Sequence, residues 1–219
     1  MTDGPDPGRS GWPDLLGCVL AGGKSARFGA NKARARLAGA PLAARSREAL
    51  SRVATRVVLV SGDTELAREL DLDDRPDRLP GQGPLGGLAT ALHWAREEAL
   101  TGVLVLACDL PLVPSRLLAR LLDRWDGRQA VVPQSRGPLG LEPLCGAYPV
   151  TCLNDVEASL QSEVRSMGAF VQRIQPVVLP IASFADLGQP EDLFLNVNRP
   201  EDLERVRSKV AESQGSGHA

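Results

Sequence analysis

Three stretches of this chain hold residues whose types and spacing suit phosphate chemistry. The first is Leu20-Ala21-Gly22-Gly23-Lys24-Ser25-Ala26-Arg27-Phe28-Gly29-Ala30-Asn31-Lys32. Paired glycines let backbone N–H groups approach an anion with no Cβ in the way. Lys24, Arg27 and Lys32 add cations suited to phosphate oxygens. Gly23-Lys24-Ser25 copies the end of a Walker loop, but Cys18 stands where that loop's opening glycine belongs, and GxGxxG is absent. A plain Gly-rich turn with solvated basic residues is the bland alternative. Three cations and a strand leading into the loop favour phosphate binding.

The second stretch runs from Asp77 through Pro80-Gly81-Gln82-Gly83-Pro84 into Leu88. It shapes a tight loop before a helix, whose free N–H groups make a second polar cradle. The third is Leu104-Val105-Leu106-Ala107-Cys108-Asp109-Leu110-Pro111. A carboxylate just after an apolar strand is costly to bury unless it meets a cation. Mg²⁺ suits Asp109, because it takes few protein carboxylates and completes its shell with water and phosphates. Asp109 as a mere cap of the next turn is the structural alternative. His218 is next to last, His93 falls within a helical pattern, and Ser25 has no base beside it. This points to phosphoryl-type transfer by positioning and charge neutralisation, without a covalent intermediate.

These loops need elements to hold them. Leu16 to Ala21, Arg56 to Val60, Val103 to Ala107, Ala130 to Val132 and Pro176 to Leu179 read as strands. Pro41 to Val53, Leu85 to Leu100, Pro114 to Trp125 and Pro200 to Val210 read as helices. The alternation predicts one α/β domain, a mainly parallel twisted sheet with helices on both faces. Ligands of such sheets sit beyond the carboxyl ends of the strands, where the first and third stretches fall. Residues 1–13 and 212–219 read as tails around a domain of residues 14–211.

The chain has 219 residues, 43% hydrophobic and 24% charged, with a formal net charge of -2. Without a positive field it is a poor partner for nucleic acid. Its longest apolar run, Val103 to Val113, is broken by Asp109 and Pro111 and too short for a bilayer. Four widely spaced cysteines and an N-terminus without a signal-peptide pattern predict a reduced, cytoplasmic protein.

Taken in order, these stretches resemble the motifs of the MobA-type molybdenum cofactor guanylyltransferases. The signature loop from Leu20 to Lys32, Asp77 with Pro-Gly-Gln-Gly-Pro-Leu, and Cys108-Asp109-Leu110-Pro111 match in type and spacing. Glu142-Pro143-Leu144-Cys145-Gly146-Ala147-Tyr148 is similar to the stretch before the family's acceptor region, and Leu195-Asn196-Val197-Asn198-Arg199-Pro200-Glu201-Asp202-Leu203 to its closing motif. The resemblance implies a Rossmann-like nucleotidyltransferase fold and transfer of GMP from GTP to molybdopterin. Leu20, Ala21, Gly22, Gly23 and Gly83 would line the nucleotide, with Lys32 and Arg27 at its phosphates. Asp77 would bind the guanosine portion, Asp109 would hold Mg²⁺, and Asn196 and Asn198 would lie on the pterin side. Cofactor-biosynthesis proteins and recipient molybdoenzymes are the further partners it implies. Asn31 replaces a usual aspartate, Phe28 a methionine and Arg199 a threonine, and Gly62-Asp63 occupy a turn where relatives often place asparagine. Two rival readings are a cytidylyltransferase, whose closing motif tends to carry aspartates, and a nucleotide-binding regulatory protein that lost catalysis.

Overall fold

A computed structural model describes residues 14–22, 32–79, 81–162 and 165–215. Its strands are β1 (Leu15–Leu20), β2 (Arg36–Leu37), β3 (Ala40–Pro41), β4 (Arg56–Val60), β5 (Asp73–Arg75), β6 (Gly102–Ala107), β7 (Val131–Pro133), β8 (Cys145–Pro149) and β9 (Val177–Leu179). The helices are α1 (Leu42–Ser51), α2 (Thr64–Glu69), α3 (Gly83–Glu97), α4 (Ser115–Asp123), α5 (Leu153–Gln161), α6 (Met167–Ile174), α7 (Pro190–Leu193) and α8 (Pro200–Gly215).

Seven strands form one sheet in the order β5-β4-β1-β6-β8-β7-β9, and β2 with β3 makes a small hairpin. β5, β4, β1 and β6 pair in parallel, as do β7 and β9. β8 runs antiparallel to both its neighbours. Side chains alternate across a strand, and that alternation divides the core in two. Leu15 and Val19 join Leu59, Leu104 and Leu106 on the face covered by α1 and α4. Leu16, Cys18 and Leu20 join Val58, Val60, Val103 and Val105 on the face covered by α3, α5 and α6. β1 and β6 are buried along their whole length, which is why they read as unbroken apolar runs.

The structure departs from the sequence expectation in places. The last helix continues past Val210 to Gly215, because Ala211-Glu212-Ser213-Gln214 contains no breaker. α2, α5 and α6, the charged edge strand β5 and the reversed strand β8 carry no pattern that the sequence reading picked out. Among the described residues no helix is long and apolar enough to cross a membrane.

Candidate active site

The carboxyl ends of β1, β4 and β6 are tied together. Ala21 N donates to Val60 O at 3.1 Å, and Cys108 N donates to Leu20 O at 3.0 Å. Gly22 therefore emerges at the crevice beside β4, exposed, with the Asp77 carboxylate across from it. Ser46, buried on α1, donates to Ala107 O at 3.1 Å and fixes the end of β6 one step before Cys108 and Asp109.

Lys32 opens a short 3-10 turn and reaches back to this point. Its Nζ donates to Asp109 Oδ2 at 2.6 Å and to Asn198 Oδ1 at 3.1 Å. Both charged side chains are largely enclosed, 16% and 15% exposed, so the pair is poorly screened by solvent. The other carboxylate oxygen, Asp109 Oδ1, is buried and accepts no hydrogen bond from the described residues. The closing motif is docked by its own backbone, since Val197 N donates to Asp109 O at 2.9 Å and the Val197 side chain is fully buried. Asn196 and Asn198 flank that anchor. The Asn196 Oδ1 is also buried without a partner, whereas Asn198 is engaged with Lys32. Asp202 accepts from Asn198 N and Arg199 N, both at 2.9 Å, and holds this turn at the start of α8. Nothing in the structure explains the Arg199 side chain.

A second acid belongs here that the residue-by-residue reading of the sequence did not single out. The antiparallel β6–β8 register pairs Leu106 with Cys145, and Ala107 N donates to Leu144 O at 2.9 Å. The ladder stops there, just short of Asp109 and Glu142, and the Glu142 carboxyl lies close enough to Asp109 to feel its charge. Tyr148 Oη, fully buried, donates to Pro143 O at 2.7 Å and pins the turn. Burial pushes the Glu142 carboxyl up to about 7, and the charge of Asp109 adds to the rise. In the sequence it showed only as the first residue of the family-like stretch Glu142 to Tyr148, an acid directly before an apolar, proline-led run.

On the other side of Gly22, Asp77 Oδ1 accepts from Leu79 N at 3.0 Å and from Thr90 Oγ1 at 2.9 Å. Gly83 begins α3 at φ +64, a left-handed conformation that glycine adopts without strain. The turn after β4 is occupied with structure. Asp63 caps α2 by accepting from Leu66 N at 3.0 Å, and the same carboxylate is gripped by Arg34 through Nε at 2.8 Å and through Nη2. Asp63 thus holds the Lys32–Arg34 turn rather than facing the crevice as a free acceptor.

Gly23 and Arg27 lie outside the described residues. Leu20, Ala21, Gly22, Asp77, Asp109, Asn196 and Asn198 lie on loops or strand ends, while Lys32 opens the 3-10 turn and Gly83 opens α3. A groove of about 410 Å³, lined by Arg45, Arg52, Pro114 and Lys209, lies behind the 110–115 loop and includes none of them. No nucleophile–base pair stands near Asp109 among the described residues. All four cysteines are free and buried, and desolvation pushes Cys108 and Cys152 up to about 12. His93 is held at the α5 side of α3, its Nε2 at 3.0 Å from Glu157.

The model of the MobA-like NTP transferase domain matches residues 17–177. The chain is 36% identical to a molybdenum cofactor guanylyltransferase from Cereibacter sphaeroides, over 89% of this chain and 96% of that protein. It is 34% identical to another of that name from Rhizobium leguminosarum, over 88% and 91%. Its fold is similar to that of molybdopterin-guanine dinucleotide biosynthesis protein A from Archaeoglobus fulgidus, with a TM-score of 0.74, 24% identity, and coverage of 90% of this chain and 100% of that one.

Proposed function

The chain belongs to the MobA-like NTP transferase family, and from that premise we propose that it is a molybdenum cofactor guanylyltransferase. The reaction moves GMP from GTP onto the terminal phosphate of molybdopterin. A bond forms between an acceptor phosphate oxygen and the α-phosphorus. The bond from that phosphorus to the oxygen bridging α and β breaks, and pyrophosphate leaves.

The observation that carries this reading is the Lys32–Asp109–Asn198 constellation at the end of β6, with Asp109 Oδ1 buried and unpartnered. Such an oxygen fits a hard divalent cation, which family membership implies, and Mg²⁺ is the ion proposed. When bound there, Mg²⁺ supplies positive charge to the triphosphate oxygens. The chain's own residues do the rest. Leu20, Ala21, Gly22 and Gly23 present backbone to the nucleotide, with Asp77 and Gly83 on its guanosine side. Lys32 and Arg27 neutralise charge that grows on the leaving pyrophosphate. Asn196 and Asn198 face the acceptor, and Asn198 also orients Lys32. A phosphate acceptor is already an anionic nucleophile, so the site needs no general base.

The test is incubation of the protein with each nucleoside triphosphate, Mg²⁺ and molybdenum-loaded molybdopterin, with mass analysis of the product. A GMP adduct is expected. A CMP adduct would make the enzyme a cytidylyltransferase, and no adduct with any nucleotide would sink the reading.

A further inference from the structure

The two oxygens of Asp77 are in different states, and the difference is set from α3. Oδ1 is saturated, accepting from Leu79 N at 3.0 Å and Thr90 Oγ1 at 2.9 Å. Thr90 Oγ1 in turn accepts from Arg78 N at 3.0 Å. A threonine hydroxyl has a single proton. With Arg78 N–H occupying one lone pair, that proton goes to Asp77. Thr90 is 0% exposed, so no water competes for it. The carboxylate is thereby held in one rotation, with Oδ2 turned toward Gly22. An ideal Cβ placed on Gly22 would lie 3.9 Å from that oxygen.

Thr90 is the middle of a stripe along α3. Gly86, Thr90 and Trp94 are spaced four apart and share one helical face. A Cβ at Gly86 would come within 2.9 Å of Leu79 O, so the Asp77 loop lies directly on the helix there. Trp94 packs under the guanidinium groups of Arg75 and Arg78, at 4.4 and 4.7 Å from its ring centre. The ends of the loop are held by packing and cation–π contact. Of the three stripe residues, Thr90 is the one that reaches the carboxylate itself.

We propose that Thr90 is a positioning residue for nucleotide selection. It locks the Asp77 carboxylate so that Oδ2 alone is presented beside Gly22, as a fixed acceptor for an N–H edge of the base. This rests on the reading that Asp77 contacts the guanosine portion of GTP. A carboxylate free to turn would accept differently placed donors and discriminate less between bases.

The experiment measures Kd for Mg-GTP and Mg-ATP by calorimetry, with KM and kcat for GTP in the transfer assay. The variants are Thr90→Val, Thr90→Ser and Asp77→Asn. Thr90→Val removes the hydroxyl at nearly constant volume. It is expected to weaken GTP binding about tenfold, the size of one lost bond to a charged group. The preference for GTP over ATP should fall with it, and the loss should appear in KM rather than kcat. Thr90→Ser, which restores the hydroxyl, should restore the preference. If Asp77→Asn weakens GTP binding and Thr90→Val leaves it unchanged, the Thr90 proposal is overturned while the Asp77 reading stands. If Asp77→Asn has no effect on GTP, that reading fails and the proposal with it. A Thr90→Val protein that loses thermal stability but keeps its GTP preference would show a structural role only, and would also overturn the proposal. Should Thr90→Val not fold, Thr90→Ala removes the hydroxyl without adding bulk, and an unchanged GTP-to-ATP ratio there counts against the lock.

Discussion

Asp109 shows how much two oxygens of one carboxylate can differ. Oδ2 is neutralised by Lys32, and Oδ1 is buried with no partner, a costly arrangement unless a cation completes it. Asp109→Asn keeps the shape and removes the charge. Transfer activity should fall by about two to three orders of magnitude. Thermal unfolding should move little, and normal turnover at saturating Mg²⁺ would refute the metal role. Lys32→Ala should lower kcat about a hundredfold, on the order of 3 kcal/mol, with a smaller change in KM for GTP. An effect confined to KM would make Lys32 a binding residue only. Both residues were legible from type and from position at a strand end. Their contact was not, because they stand 77 residues apart in the chain and only the parallel crossover brings them together. Glu142 was read only as the start of a family-like stretch and given no role of its own for a related reason, since its nearness to Asp109 depends on β8 returning beside β6. Its carboxyl is raised from 4.5 to about 7 by burial and by Asp109. An acid whose folded-state affinity for protons is raised stabilises fully below its unfolded value. That contribution is lost as pH rises through the folded value. Glu142→Gln should therefore gain stability relative to the parent as pH rises from about 4.5 to 8, levelling near 3 kcal/mol in the metal-free protein. Urea midpoints across that range test it, and a difference that does not vary with pH would contradict the burial of an ionisable group.

At the scale of elements, the parts that read clearly were those with one physical demand on every residue. β1, β4 and β6 lie in the parallel part of the sheet and are dominated by Leu and Val, so an apolar run leading to a Gly or Asp was enough. β8 satisfies a different mixture of demands. Cys145-Gly146-Ala147-Tyr148-Pro149 is fully buried, yet it contains a glycine, a proline and no β-branched residue. Gly146 is there because a Cβ would sit 2.9 Å from Val132 Cγ1 and 3.0 Å from Val131 O on β7. That requirement belongs to the neighbouring strand and leaves no trace in local pattern. β5, Asp73-Asp74-Arg75, is an edge strand whose charges keep the sheet from pairing further, which hides it from any search for apolar alternation. The α3 helix was expected from Leu85 onward, but its contact with the Asp77 loop at Gly86 was not. Gly86→Ala places a methyl against the Leu79 carbonyl, an atom of backbone that cannot swing aside. The substitution should destabilise by about 1–3 kcal/mol despite alanine's better helix propensity. A urea midpoint equal to or above that of the parent would mean that the loop does not lie on the helix in solution.

For the molecule as a whole, the catalytic edge is assembled from loops that follow three parallel strands and from a closing segment that returns from the far end of the sheet. Among the described residues no element contributes a reactive nucleophile. The thiols nearest the edge are those of Cys108 and Cys145. Desolvation pushes Cys108 up to about 12 and raises Cys145 well above the ordinary thiol range, so neither is a thiolate near neutral pH. His93 is engaged with Glu157 and Arg96 on the outer side of α3, and no serine among the described residues stands beside a base. What the edge does offer is positive charge at Lys32, glycine backbone, and open carboxylate oxygens on Asp109 and Asp77. That inventory suits a single in-line displacement, in which the acceptor phosphate itself attacks the α-phosphorus of GTP. It suits a covalent nucleotidyl-enzyme poorly, because that route needs a side chain able to displace pyrophosphate before the acceptor arrives. The two schemes separate cleanly when the acceptor is withheld. With α-labelled GTP and Mg²⁺ but no molybdopterin, denatured protein should carry no label, and pyrophosphate release should stay at background. Adding molybdopterin should start release at once, with label appearing in the small-molecule product alone. Stoichiometric label on the denatured chain would replace single displacement with a two-step mechanism, and the labelled peptide would identify its nucleophile.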